Sequence, residues 1–111
     1  MRENNTVATF GYGKAIELLK AGRLCARNNW NGKGMFVFMR PSDQLTETVV
    51  TEHVKSLPES YKEWVRKHPS LSGVITFNSY LCLKSADGTV INGWVASQTD
   101  VLAEDWVEIL P

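Results

Sequence analysis

Two short stretches carry residue types that could do chemistry. One is Trp30-Asn31-Gly32-Lys33-Gly34; the other is Gly93-Trp94-Val95-Ala96-Ser97-Gln98-Thr99-Asp100. Each sets one Trp beside small residues and neutral hydrogen-bonding groups. A Trp next to glycine offers a flat apolar face that backbone can approach closely, the part expected of Gly32. Two such faces, Trp30 and Trp94, suggest a clamp for a planar ring. Asn31 and Gln98 present paired donors and acceptors suited to a base edge or a ribose. The start of a short helical turn capped by Thr99-Asp100 points backbone N–H groups forward, where a phosphate could sit, and Arg27 adds charge. Stacking a base on an aromatic contributes roughly 1–3 kcal/mol, so two indoles supply about 2–6. Nanomolar affinity needs about 12, so polar contacts must provide the remainder. The competing reading is that both Trp residues are sheet-edge core and the polar groups only cap turns.

Catalysis has no comparable support. Cys25 and Cys82 fall inside predicted strands and lack the electropositive, partly exposed setting that activates a thiolate. Ser97 and Thr99 have no His near them in sequence. Asp100, Glu104 and Asp105 are explained by capping and surface exposure. The glycines around Trp30 lack the Lys-Ser or Lys-Thr ending of a phosphate-binding loop. Closely spaced Cys or His ligands for a metal are missing, so neither a metal nor a cofactor is expected. The expectation is a non-enzymatic binder.

The elements that position these stretches follow from hydrophobic period. Tyr12, Ala15, Ile16 and Leu19 recur at helical spacing, with Thr9 as the expected N-cap and Gly22 where a left-handed C-terminal residue belongs. Residues 24–27 and 35–39 read as strands joined by the Asn- and Gly-rich segment 28–34, a hairpin with Trp30 near its tip. The middle third reads as helical. Val50, Val54 and Leu57 share one face, and Ser56-Leu57-Pro58-Glu59 has the capping-box pattern before a second helix. On that second helix Trp64 is read as core, and His68 there, like His53 on the first, as a packing or surface residue. Residues 74–77 suggest a short strand and 80–84 a clearer one. Asp87-Gly88 predicts a hairpin turn, with 89–95 returning and interrupted at Asn92-Gly93. Residues 106–110 close the chain as a strand with Trp106 inward. The fold class is therefore α+β: an N-terminal amphipathic helix packed on a mostly antiparallel sheet of about five strands, with a helical insertion (42–69) between strands two and three.

Composition sets outer limits. A chain of 111 residues suits a single domain over 1–111, with 1–8 expected to fray. Twelve basic and twelve acidic side chains cancel, so nothing favours long nucleic acid. No apolar run approaches the ~20 residues of a membrane span, and the N-terminus lacks a signal-peptide core. A cytoplasmic protein with two reduced, strand-borne cysteines is expected.

Three segments also carry a family resemblance: Ala15-Ile16-Glu17-Leu18-Leu19-Lys20-Ala21-Gly22; Ala26-Arg27 with Trp30-Asn31-Gly32-Lys33-Gly34-Met35; and Gly93-Trp94-Val95-Ala96-Ser97-Gln98-Thr99-Asp100-Val101-Leu102-Ala103-Glu104-Asp105-Trp106. Together they resemble the Thoeris anti-defence 2 family of small phage and bacterial proteins. The match covers both ends of the chain; the middle, about 42–79, resembles the family less closely. The resemblance implies a phage-encoded sponge that sequesters a cyclic ADP-ribose isomer, the signal of the bacterial Thoeris immune system, without degrading it. Some relatives hold cyclic oligonucleotide signals instead. It also implies a homo-oligomer, a dimer or tetramer, with ligand pockets between subunits. By motif, pocket roles carry over to Trp30, Asn31, Trp94, Gln98, Thr99 and Asp100. Two other readings remain beside it: a homo-oligomeric protein-interaction module without a nucleotide ligand, and an enzyme acting on a nucleotide.

Overall fold

Helix α1 spans Tyr12–Lys20 and buries Ala15 and Leu19, as the apolar period requires. It ends in a Schellman motif. Gly22 N–H donates to the Leu19 carbonyl (3.0 Å) and Arg23 N–H to the Leu18 carbonyl (2.9 Å), with Gly22 at φ 88°. Its N-cap is Gly11, without a side-chain cap, rather than Thr9. The reason lies across the chain: Phe10 exchanges backbone hydrogen bonds with Trp106 (2.9 and 3.0 Å), so the helix cannot begin before that bridge.

The computed structural model describes residues 8–111, without the side-chain detail of residues 31–32, so the expectation that 1–8 frays lies outside the described residues except for Ala8. After α1 come β1 (Leu24–Arg27), a 3-10 helix (Asn28–Lys33), β2 (Phe36–Arg40), β3 (Asp43–Thr46), α2 (Glu47–Glu52) and α3 (Glu59–Lys67). The chain continues with β4 (Val74–Phe77), β5 (Tyr80–Lys84), β6 (Val90–Asn92), α4 (Gln98–Leu102) and β7 (Trp106–Ile109). These elements fall into two compact units, residues 8–40 with 80–111, and residues 41–79.

In the first unit the described strands form an antiparallel five-stranded sheet in the order β6-β5-β2-β1-β7. Cys25, Val37, Leu83 and Trp106 share the face that meets Ala15 and Leu19 of α1. Cys25 and Cys82 are both free and buried, and burial, with the Glu108 charge adding, pushes the Cys25 thiol up to about 11. The α+β architecture is the expected one, and the second unit enters between the second and third strands of this sheet. No helix among the described residues is long and apolar enough to cross a membrane.

The second unit differs from expectation in four ways. Asp43–Thr46 is a strand that pairs with β4 as a separate two-stranded ribbon. Its one partly buried side chain, Leu45, leaves almost no apolar alternation to read. Helix α2 stops at Glu52, short of Val54 and Leu57, and is capped by Thr46, whose Oγ1 accepts from Val49 N–H (3.1 Å). Helix α3 begins after Pro58 with no side-chain cap, so the Ser56–Glu59 capping box does not form. Trp64 is 56 % exposed rather than core, its ring stacked on His68 with centroids 4.4 Å apart. Val65 alone of α3 is buried, because this small unit is too thin to cover a wide aromatic face.

Two outcomes follow from these turns. Replacing Gly22 with Ala meets no neighbour within 4 Å but forces a Cβ into the left-handed region. It should cost about 1–2 kcal/mol, read by urea denaturation. In the β5–β6 turn the Asp87 carboxylate accepts from Ser85 Oγ (2.5 Å), Thr89 N–H (3.0 Å) and Thr89 Oγ1 (2.7 Å). The Ser85 bond leads in holding its pKa down to about 2. A depressed folded pKa means the turn is fully stabilised above the unfolded value, ~3.9, and loses that contribution as pH falls through the folded one. Carboxyl NMR should show this low midpoint, and Ser85→Ala should move it upward.

Candidate functional site

Trp30 lies in the 3-10 helix that follows β1, not at an exposed hairpin tip. Asn28 N–H donates to the Asp105 carbonyl (2.8 Å), which turns the chain into the 3-10 helix and lays Trp30, half-buried, against the core. Gly34, at φ 66°, then returns the chain to β2, its carbonyl accepting from Lys84 Nζ (2.8 Å). At the other stretch β6 ends at Asn92, and Gly93 at φ 74° turns the chain. Trp94 N–H still bonds the Leu81 carbonyl (2.8 Å), so the half-buried Trp94 stays on the sheet.

The two stretches meet at a third indole. Trp106 is fully buried, with centroids 5.6 Å from Trp30 and 6.3 Å from Trp94, at interplanar angles of 75° and 72°. Trp30 and Trp94 lie 6.2 Å apart at 87°. All three pairs are edge-to-face, the arrangement that the ring quadrupoles favour. A sandwich needs parallel faces, so these two indoles do not clamp a ring between them within one chain. What they offer is the exposed part of each. Tyr12 adds a fourth ring, 5.2 Å from Trp106 and tilted 47°. Burial, then the Asp100 charge, raises the Tyr12 pKa.

Helix α4 stands beside this cluster. Its N-cap is Ser97, not Thr99: Asp100 N–H donates to Ser97 Oγ (3.1 Å) and Ser97 N–H to Asp100 Oδ2 (3.2 Å), a complete capping box. The carboxylate of Asp100 therefore already occupies the front of the turn where a phosphate was expected. Asp100 Oδ1 accepts from Arg27 Nη1 (2.8 Å), and the Asp100 carbonyl accepts from Trp106 Nε1 (2.8 Å). Arg27 reaches Asp105 as well, through Nε (2.5 Å) and, at 3.5 Å, Nη2. The Asp105 bond, with Asp100 adding, raises the guanidinium pKa against burial, which lowers it. Gln98 and Thr99 are exposed. Asn31 and Gly32 lie in the 3-10 helix, and the Asn31 side chain is outside what the structure describes.

The fold thus brings Arg27, Trp30, Trp94 and Asp100 into one locality, with Gln98 and Thr99 on the helix that Asp100 anchors. Sequence reasoning missed three members. Tyr12 and Trp106 read only as core, and Asp105 only as surface. The spacing Ser97-x-x-Asp100 was a readable capping signal; the Arg27–Asp105 pair, 78 residues apart, left none.

The comparisons with known proteins bear on this locality. The family model for the Thoeris anti-defense 2-like domain matches residues 10–109. The chain belongs to that family. A curated relative, Thoeris anti-defense 2 of Bacillus phage SP01, is 37% identical over 95 residues, spanning 86% of this chain and 89% of its own. The family match takes in every aromatic residue of the cluster, from Tyr12 to Trp106.

The indole N–H of Trp106 gives a direct test of how the cluster is held. Trp106→Phe keeps an aromatic ring but removes the shorter of two bonds to the part-buried Asp100 carbonyl, leaving it only the Ala103 N–H at 3.4 Å. Stability should fall by about 0.5–1.5 kcal/mol for that bond, read by urea denaturation followed by far-UV circular dichroism.

Proposed function

We propose that this chain is an anti-defence sponge: it binds a cyclic nucleotide immune signal, a cyclic ADP-ribose isomer of the Thoeris type, and withholds it without degrading it. The observation that carries the reading is the aromatic cluster, whose half-buried indoles Trp30 and Trp94 stand beside α4 in a chain of the Thoeris anti-defense 2-like family. Partial exposure of large aromatic rings next to neutral polar side chains suits a ligand with a planar base and a hydroxyl-rich sugar. Trp94 and Trp30 would supply stacking surface, and Asn31 and Gln98 the polar contacts. Thr99 would contact the ligand from the turn, and Gly32 would permit close approach.

A ring stacked on one of these indoles finds no second parallel indole in the same chain. A neighbouring copy would provide the opposite wall, which fits assembly as a dimer or tetramer acting in the host cytoplasm. The same reading takes 1–111 as one domain of the family, with residues 41–79 as its insertion. A cyclic oligonucleotide would use the same surfaces. A second reading rests on Val95, Val101 and Leu102, aliphatic side chains exposed on the Trp94–α4 segment, as a contact surface for another protein.

Calorimetric titration with cyclic ADP-ribose isomers tests the proposal. Tight binding is expected, weakened about tenfold to a hundredfold by Trp94→Ala, the loss of one stacked ring at roughly 1–3 kcal/mol. Heating the complex should release the ligand intact; a converted product would make the protein an enzyme. Absence of heat with every isomer and with cyclic oligonucleotides would instead favour the protein-contact reading.

A further inference from the structure

We infer that Arg27 is a positioning residue for the aromatic site, and not a charge presented to the ligand; this rests on the binding function proposed above. Each nitrogen of the Arg27 guanidinium already donates to a carboxylate, Nε and Nη2 to Asp105 and Nη1 to Asp100, and the side chain is only 15 % exposed, which leaves little of its five-donor fork to meet a ligand. Its partners tie together the two stretches that carry the indoles. Asp105 accepts Arg27 through its carboxylate and Asn28 through its carbonyl, two attachments at the entrance to the helix bearing Trp30. Asp100 accepts Arg27 through one carboxylate oxygen, holds the Ser97 cap with the other, and receives Trp106 Nε1 on its carbonyl. The planar guanidinium is therefore the part that sets Trp30 against Trp94 and Trp106 and holds α4 beside them. A lysine carries the same charge but lacks the fork that serves two carboxylates in fixed directions.

The test separates the two roles of Arg27 through its partner. Arg27→Lys, Asp105→Asn and the double variant are titrated with the cyclic ADP-ribose isomer that wild type binds. A positioning role predicts that each single change weakens affinity about tenfold, and that the pair together loses no more than either alone. If Asp105→Asn binds as well as wild type or more tightly, Arg27 acts on the ligand and the inference is overturned. Near-UV circular dichroism of the ligand-free proteins gives a second readout that does not depend on binding. Both single variants should alter the indole bands in the same way with far-UV spectra unchanged. Arg23→Lys, which disturbs the separate Arg23–Glu108 pair, should leave those bands as they are. Unchanged indole bands in Arg27→Lys and Asp105→Asn overturn the inference. If wild type binds no isomer, the proposed function fails while the spectra still decide the role of Arg27. Should Arg27→Lys not fold, Asp105→Asn alone carries both readouts.

Discussion

The burial of Trp106 is the constraint on which the first unit depends. Its ring is fully enclosed, packed with Cys25, Val37, Leu83, Ala15 and Leu19, and touched by Tyr12, Trp30 and Trp94. A buried indole must find an acceptor for its N–H, and here the Asp100 carbonyl is that acceptor. One side chain therefore fixes three separate segments: the start of α1 by aromatic contact, the 3-10 helix through Trp30, and α4 by a hydrogen bond. Its own backbone, bridged to Phe10, fixes where α1 begins. Packing and polar satisfaction thus converge on the same residue.

Around that centre, charge completes what packing begins. Arg27 and Asp100, at 15 % and 16 % exposure, are shielded enough that their pairing is directional rather than a fluctuating surface attraction, whereas Asp105, at 38 %, is more open to solvent. Asp100 serves capping, ion pairing and, through its carbonyl, the indole. These attachments hold the α4 segment at several points, where its length of five residues is too short to be stable by helix propensity alone. Gln98 and Thr99 are exposed on the same helix that Asp100 anchors, beside the two half-buried rings.

The second unit is organised differently. Its buried side chains are few, Val50 and Val65 among them, and local hydrogen bonds do much of the ordering. The Glu47 carboxylate accepts from both the N–H (2.9 Å) and the hydroxyl (2.8 Å) of Ser70, and these bonds lower its pKa, the backbone bond most. Trp64 remains outside that small core, stacked only on His68.

What the sequence determined by itself was the local periodic part. Helix α1 and its Gly22 terminus, the strands of the main sheet, the Asp87-Gly88 turn and the burial of both cysteines all follow from spacing and turn chemistry acting within a few residues. It also marked Trp30, Trp94, Gln98, Thr99, Asp100 and Arg27 as worth attention by their types. Only the tertiary structure decided what several of them do. The perpendicular set of the indoles, the engagement of Arg27 with two carboxylates and the role of Trp106 arise between distant residues, 78 positions apart for Arg27 and Asp105, where no local pattern reaches. The ribbon strand Asp43–Thr46 and the exposure of Trp64 escaped reading for a related reason. A strand with one half-buried side chain shows no period, and whether a Trp on an amphipathic helix is covered depends on how much chain is there to cover it.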